Sequence, residues 1–165
     1  MDEKKFIIAV YVDNQAGVLA RVSSLFTRRG FNIDSLTVGE TERSEYSRIT
    51  VCPNGDNDVQ QMVNQLKKLF VVKKVEVLEE DAIKRELMLI KVKNDSKNRS
   101  DIMTAVDVFR ASVIDYSSDA MCIEVTGNPS KIDAFVKLMQ PFSILEMCRT
   151  GIVALDRGTE TLFSK

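Results

Sequence analysis

Apolar residues follow one another along residues 6–12 with almost no polar break, which predicts a central strand covered on both faces. The next apolar positions recur at helical spacing, and polar side chains occupy the opposite side of this predicted helix. The apolar stripe consists of Val18, Leu19, Val22, Leu25 and Phe26. Two arginines suit the negative end of the helix dipole, and Gly30 is predicted to be the left-handed cap that ends the helix.

Two further strands are predicted at residues 32–38 and 46–52, joined by a short polar stretch that indicates a hairpin with an exposed tip. Asp56 or Asn57 is expected to cap a second helix. The apolar stripe of that helix consists of Val59, Met62, Val63, Leu66 and Leu69. Residues 71–78 predict a closing strand, so the first unit has the order βαββαβ.

The charged run at residues 79–85 follows a completed unit and is the predicted domain boundary. The pattern after it repeats the same order of elements, with strands near 86–92, 111–117, 120–126 and from 144, and with helices near 100–109 and after Asn128-Pro129. We therefore expect two domains, 1–79 and 80–165. A single long α/β domain is the alternative.

This order of elements predicts an α+β protein made of two consecutive ferredoxin-like βαββαβ units, each with both helices on one face of an antiparallel sheet. The other face of each sheet has no helix from its own unit, yet the first strand is apolar on both faces. We expect the units to pair, sheet to sheet or edge to edge, within the chain or in a homodimer.

Composition narrows the possible functions. The 23 basic and 24 acidic residues give no positive field for nucleic acid, and no apolar run is long enough to span a bilayer. The first five residues lack the features of a signal peptide, so a cytoplasmic protein is predicted. The chain has no histidine, and its three cysteines are far apart, so neither a metal site nor a catalytic residue is predicted.

The candidate site is the polar turn between the first strand and the first helix. Gly17, Val18 and Leu19 begin the helix, so their amides are expected to be unpaired at the positive end of the dipole, where a carboxylate binds well. Asn14 and Asn32 each carry an amide donor and acceptor, and Asn32 is expected to return to the same edge as the turn. The alternative is that these residues only shape local turns.

Two runs carry a resemblance to a known family. They are DNQAGVL at 13–19 and RRGFNIDSLTV at 28–38, and similar runs continue with ELMLIKV at 86–92 and RTGIV at 149–153. This ordered series resembles the regulatory (small) subunit of acetohydroxyacid synthase, also called acetolactate synthase, whose amino-terminal part is an ACT domain. The resemblance extends from residue 6 to about residue 158.

The resemblance implies a non-catalytic subunit that activates a catalytic subunit and confers feedback inhibition by valine or another branched-chain amino acid. It also implies that the chain itself holds no cofactor, whereas its partner uses thiamine diphosphate, magnesium and FAD. By position, the resemblance implies that Asn14 and Asn32 bind the amino and carboxylate groups of the effector. The backbone amides of Gly17, Val18 and Leu19 also bind the effector, and Ile33 lines the pocket for its side chain. In this pattern the effector lies between the amino-terminal domains of a homodimer.

Two other functions are weighed against this one. A stand-alone ACT-type amino-acid sensor for a different enzyme is supported by the turn but not by the features of the second unit. An RNA-binding ferredoxin-like module needs exposed aromatic residues and basic surroundings on its middle strands, and this chain lacks both.

Overall fold

A computed structural model describes residues 6–54 and 58–165. The expected caps Asp56 and Asn57 lie outside the described residues, as do residues 1–5. In the structure the second helix is capped by Asp58, whose carboxylate accepts hydrogen bonds from the amides of Gln60 and Gln61. The helix therefore begins at Val59, the first residue of the predicted stripe.

The first unit has the predicted order βαββαβ, which confirms the fold class. Its elements are β1 Ile8–Asp13, α1 Val18–Arg28, β2 Asn32–Glu40, β3 Tyr46–Asn54, α2 Val59–Leu66 and β4 Val72–Val77. The strands form an antiparallel sheet in the order β2-β3-β1-β4. In this order β2 is an edge strand, and β1 lies inside the sheet.

The two faces of β1 are both buried, as its apolar sequence predicts. Ile8, Val10 and Val12 pack with residues of α1 and α2 in one core. Because side chains alternate along a strand, Ala9 and Tyr11 point to the other side of the sheet, where Tyr11 is only 7% exposed. The strand is therefore covered on both sides.

The second face of this sheet is covered by residues 152–165, which we call the carboxyl-terminal strap. Ala154 and Leu162 of the strap pack with Tyr11 and Cys52 in a separate apolar cluster. Pairing between units was the expected cover for this face. The structure supplies cover from the chain's own last residues, which the sequence pattern did not reveal.

Polar contacts fasten the strap to the sheet. Arg48 donates a hydrogen bond from Nη2 to the carbonyl of Ala154 at 2.9 Å, and the amide of Ile152 donates to Ser35 Oγ at 2.8 Å. Burial lowers the pKa of Arg48 and outweighs the opposing attraction of Asp156. These bonds satisfy backbone groups of a segment that has little secondary structure of its own beyond β9, Val153–Leu155.

The Asp156 carboxylate is the second anchor of the strap. It accepts hydrogen bonds from the Glu79 amide at 3.0 Å and lies 3.0 Å from Lys165 Nζ. Burial alone would raise the pKa of Asp156, but these hydrogen bonds and the attraction of Lys165 and Arg48 outweigh it, so the pKa lies below its ordinary value. The ionised carboxylate therefore stabilises the attached strap.

The second unit repeats the βαββαβ order. Its elements are β5 Ile83–Lys93, α3 Arg99–Val108, β6 Ser112–Tyr116, β7 Ala120–Gly127, α4 Pro129–Met139 and β8 Ile144–Arg149, with a 3₁₀ turn at Gln140–Phe142. Strands β6, β7, β5 and β8 are neighbours in that order. The buried side of this sheet packs against α3 and α4.

Compact packing divides the chain into two units, one of residues up to Ile83 together with Ile152–Lys165, and one of Lys84–Gly151. The strap thus belongs to the first unit by its contacts. The functional domains 1–79 and 80–165 stay a prediction. Within the described residues, no helix combines the length and apolar character required to cross a membrane.

Candidate functional site

The turn between β1 and α1 depends on Gly17, which has a φ of +83°. That backbone conformation is strained for residues with a Cβ atom, so the turn favours glycine. The glycine is exposed, and a Cβ built on it would meet no atom within 4 Å. The backbone is consequently open to a ligand on this side.

Two of the three amides assigned to the site are unbonded. Among the described residues, no acceptor lies within hydrogen-bonding distance of the Gly17 and Leu19 amides. The Val18 amide differs from the expectation, because it donates a long 3.4 Å bond to the carbonyl of Gln15. The turn therefore presents two free donors and one weakly occupied donor.

The charge at this helix end is also unbalanced. Helix α1 has no side-chain cap and no acidic residue in its first turn. The positive end of an uncapped helix dipole favours an anion by about 0.3–1 kcal/mol at an exposed position. A carboxylate would supply both the missing acceptor and the missing charge.

Asn14 is held in place by the hairpin between β2 and β3. Its backbone amide donates to the Glu45 carbonyl at 2.8 Å, and its side-chain nitrogen donates to the Ser44 carbonyl at 2.8 Å. This side-chain bond uses one of the two Nδ2 hydrogens, so the second hydrogen and Oδ1, which can only accept, are available to a ligand. These two hairpin partners were not predictable from the sequence, because both act through backbone carbonyls.

Asn32 follows the end of α1, where Gly30 adopts a φ of +73° as predicted. The Phe31 amide donates to the Phe26 carbonyl and the Gly30 amide to the Thr27 carbonyl, which together form a Schellman motif. Phe31 then packs edge-on against Phe26, with ring centroids 6.2 Å apart. This cap fixes the direction in which β2 leaves the helix.

The Asn32 side chain is exposed at the first position of β2. Within the part of the chain that the structure describes, it makes no hydrogen bond. Ile33 beside it is half-buried and packs against the core of the first unit. Only the outer part of the Ile33 side chain is therefore open to a ligand.

The expectation that Asn32 returns to the edge of the Asn14 turn is wrong. Strand β3 pairs with both β1 and β2, with Tyr46 opposite Asp13 at one end and Asn54 opposite Asn32 at the other. At about 3.4 Å per residue, the nine residues of β3 separate these two ends by about 27 Å. A single chain does not bring the two asparagines together.

The geometry of α1 explains this separation. Strands β1 and β2 are both antiparallel to β3, so they run parallel to each other. The 11 residues of α1 carry the chain back by about 16 Å, and β2 must begin at the far end of the sheet. The spacing of apolar residues shows that a helix lies between β1 and β2. The direction of β2 follows only from its pairing with β3.

The structure also locates the cysteines and the side chains that could bind a metal. Among residues 6–54 and 58–165, no three metal-ligating side chains come together. The thiols are separate, with Cys52 buried, Cys122 half-buried and Cys148 exposed.

Both halves of the chain match known families. Residues 8–74 match the family described as the AHAS small subunit-like ACT domain, and residues 85–158 match the family described as the small subunit of acetolactate synthase. The chain is 48% identical over 157 residues to a probable acetolactate synthase small subunit of Archaeoglobus fulgidus, covering 94% of this chain and 99% of that protein. It is 44% identical over 159 residues to the acetolactate synthase small subunit of Bacillus subtilis, covering 94% and 92%.

A solved structure agrees with these matches. The acetolactate synthase small subunit of Thermotoga maritima shares 38% sequence identity with this chain and superimposes with a TM-score of 0.89. The alignment covers 96% of this chain and 100% of that one. The likeness therefore extends over both units.

Proposed function

This chain belongs to the family of acetolactate synthase small subunits, and from that membership we propose that it activates an acetolactate synthase catalytic subunit and makes it sensitive to valine or another branched-chain amino acid. The role is regulatory and serves branched-chain amino acid biosynthesis. The catalytic partner carries thiamine diphosphate, magnesium and FAD. The chain itself binds the effector and holds no cofactor.

The separation of Asn14 from Asn32 is the observation that carries the effector site. Since the two side chains lie at opposite ends of one sheet, a site that uses both needs two chains. The edge position of β2 supports such an arrangement, because a two-fold axis between two β2 edges makes the strands antiparallel. The Asn32 end of one chain then meets the Asn14 end of the other.

The donors and acceptors at the turn support a specific assignment of the effector's ammonium and carboxylate groups. Asn14 Oδ1 accepts from the effector's ammonium, because Oδ1 is the acceptor of this side chain, whereas Nδ2 only donates. The amides of Gly17 and Leu19 donate to its carboxylate, with the Val18 amide able to exchange its weak bond for a stronger one. Asn32 of the second chain donates to the same carboxylate, and the exposed part of Ile33 contacts the aliphatic side chain.

The activity test uses the purified chain and its cognate catalytic subunit. Adding the chain should raise acetolactate formation, and valine should reverse the increase. Binding is measured separately on the chain alone, where valine at about one hundred times its dissociation constant should add roughly 2.7 kcal/mol of apparent stability. A stabilised chain that fails to activate the enzyme would favour the stand-alone sensor.

Asn32→Ala tests the assigned contact. Its matched control is Asn64→Ala, at an exposed position of α2. The first change should reduce the valine-induced shift by about half or more and leave the oligomeric state unchanged. The second should keep the shift. A full valine response in Asn32→Ala contradicts the assigned role, and no response of the unmodified chain to valine, leucine or isoleucine removes the effector proposal.

A further inference from the structure

A pocket lies in the first unit, on the side of the sheet that the strap covers. Its volume is about 380 Å³. It is lined by Tyr11, Glu42, Arg43, Tyr46, Lys73 and Phe163. These residues come from four segments, namely β1, the hairpin that leads into β3, β4 and the strap, so the strap completes the pocket with Phe163.

Aromatic rings form one wall of this pocket. The Tyr11 ring lies 4.9 Å from the Tyr46 ring at a tilt of 32°, and 4.9 Å from the Phe163 ring at 86°. Tyr11 is 7% exposed, whereas Phe163 is 60% exposed. Phe163 therefore has a free ring surface, against which a planar ligand can stack.

One of the three charged residues that line the pocket already has an ion-pair partner, and the other two do not. Lys73 forms an ion pair with Asp13 at 3.0 Å and also lies over the Phe70 ring. Within the described part of the chain, the side chains of Glu42 and Arg43 have no ion pair or hydrogen bond. One free carboxylate and one free guanidinium at the same rim are complementary to a zwitterion.

The loop that carries these two charges is ordered by its own hydrogen bonds. Thr41 Oγ1 donates to the Arg43 carbonyl at 2.9 Å and accepts from the Arg43 amide at 3.2 Å. The Tyr46 amide closes the tip with a 3.0 Å bond to the Arg43 carbonyl. A loop already in its bound backbone conformation loses less entropy when a ligand arrives.

We propose that this pocket binds an aromatic α-amino acid, with the ammonium on Glu42, the carboxylate on Arg43 and the ring against Phe163 and Tyr46. The pocket volume falls within the range of about 300–1,000 Å³ that is typical of small-molecule sites, so an amino acid with an aromatic side chain can fit. This site is distinct from the turn at Gly17, since its walls are on the strap side of the sheet.

L-tryptophan is the probe for this proposal, because the chain contains no tryptophan and light at the long-wavelength edge of indole absorption excites the ligand but not the three tyrosines. Fluorescence anisotropy of L-tryptophan should rise and saturate as protein is added. Tryptamine lacks the carboxylate and indole-3-propionate lacks the ammonium, so each should bind roughly tenfold or more weakly. Equal affinity for indole-3-propionate overturns the zwitterion assignment.

Variants locate the binding. Arg43→Gln and Glu42→Gln keep the backbone bonds of the loop and should each weaken L-tryptophan binding about tenfold. Arg29→Gln, an exposed arginine at the end of α1, is the matched control and should bind like the unmodified chain. Unchanged affinity in both pocket variants, or no saturable binding at millimolar L-tryptophan, overturns the proposal, and circular dichroism verifies that each variant is folded.

Discussion

Two variants that each bind valine weakly should regain one valine site of normal affinity when one chain of each forms a mixed dimer. In the proposed site, Asn14 of one chain and Asn32 of the other bind the same effector, because one chain holds these residues about 27 Å apart. Asn14→Ala and Asn32→Ala therefore damage both sites of a homodimer. In a mixed dimer, one site receives both substitutions, and the other keeps both asparagines.

The expected magnitudes follow from the contacts. Each substitution removes a hydrogen bond to a charged group of the ligand, which is worth about 1.5–3 kcal/mol, or roughly ten- to more than one-hundredfold in affinity. By two-fold symmetry the proposed dimer has two equivalent sites when neither chain is substituted. The mixed dimer should bind about half as much valine, with the affinity of the unmodified protein.

The assay is calorimetric titration of dimers purified by two different tags after the two variants are expressed together. Each variant expressed alone is the control and should bind valine weakly. If both asparagines acted within one chain, the mixed dimer would contain no intact site. Mixed dimers that fail to bind valine would refute the shared site, and so would a single variant that binds valine normally.

Two further predictions concern the strap. Leu162→Ala should destabilise the attached strap by about 2–3 kcal/mol, because Leu162 is 6% exposed, and should speed hydrogen exchange of the Ile152 amide. Leu155→Ala, at 60% exposure, should change it by less than about 0.5 kcal/mol, and equal effects would contradict the packing argument. Acid should also release the strap, since the lowered pKa of Asp156 gives stability that is complete above about pH 4 and is lost as the pH falls through the folded-state pKa. Protection of the Glu79 amide should fall over that range, and Asp156→Asn should remove the pH dependence; protection that persists after protonation would contradict this role.

The order of elements was predictable because apolar residues recur at a helical or strand spacing in each segment, and because capping or turn residues mark where each segment ends. In the predicted apolar stripe of α1, Val18, Val22, Leu25 and Phe26 are buried, but the inclusion of Leu19 is wrong because it is 42% exposed. The cap at Gly30 lies where the sequence places it. The strands β3 and β7 begin at the predicted residues, Tyr46 and Ala120. These features depend on neighbouring residues, so a single sequence contains the information.

The missed features depend on contacts between distant residues. The position of Asn32 follows from its pairing with Asn54, and the support of Asn14 comes from the Ser44 carbonyl 30 residues away. The strap covers Tyr11 although about 150 residues separate Tyr11 from Leu162. Neither a period nor a turn signal encodes such contacts.

The strap also sets an order of events during synthesis. The ribosome completes residues 84–151 before it makes the segment that covers Ala9 and Tyr11. Until then, one apolar side of the first sheet has no strap, although its helices and strands are already available. The nascent chain should therefore expose a site for chaperones or for unwanted association, and this exposure ends when residues 152–165 have left the ribosome.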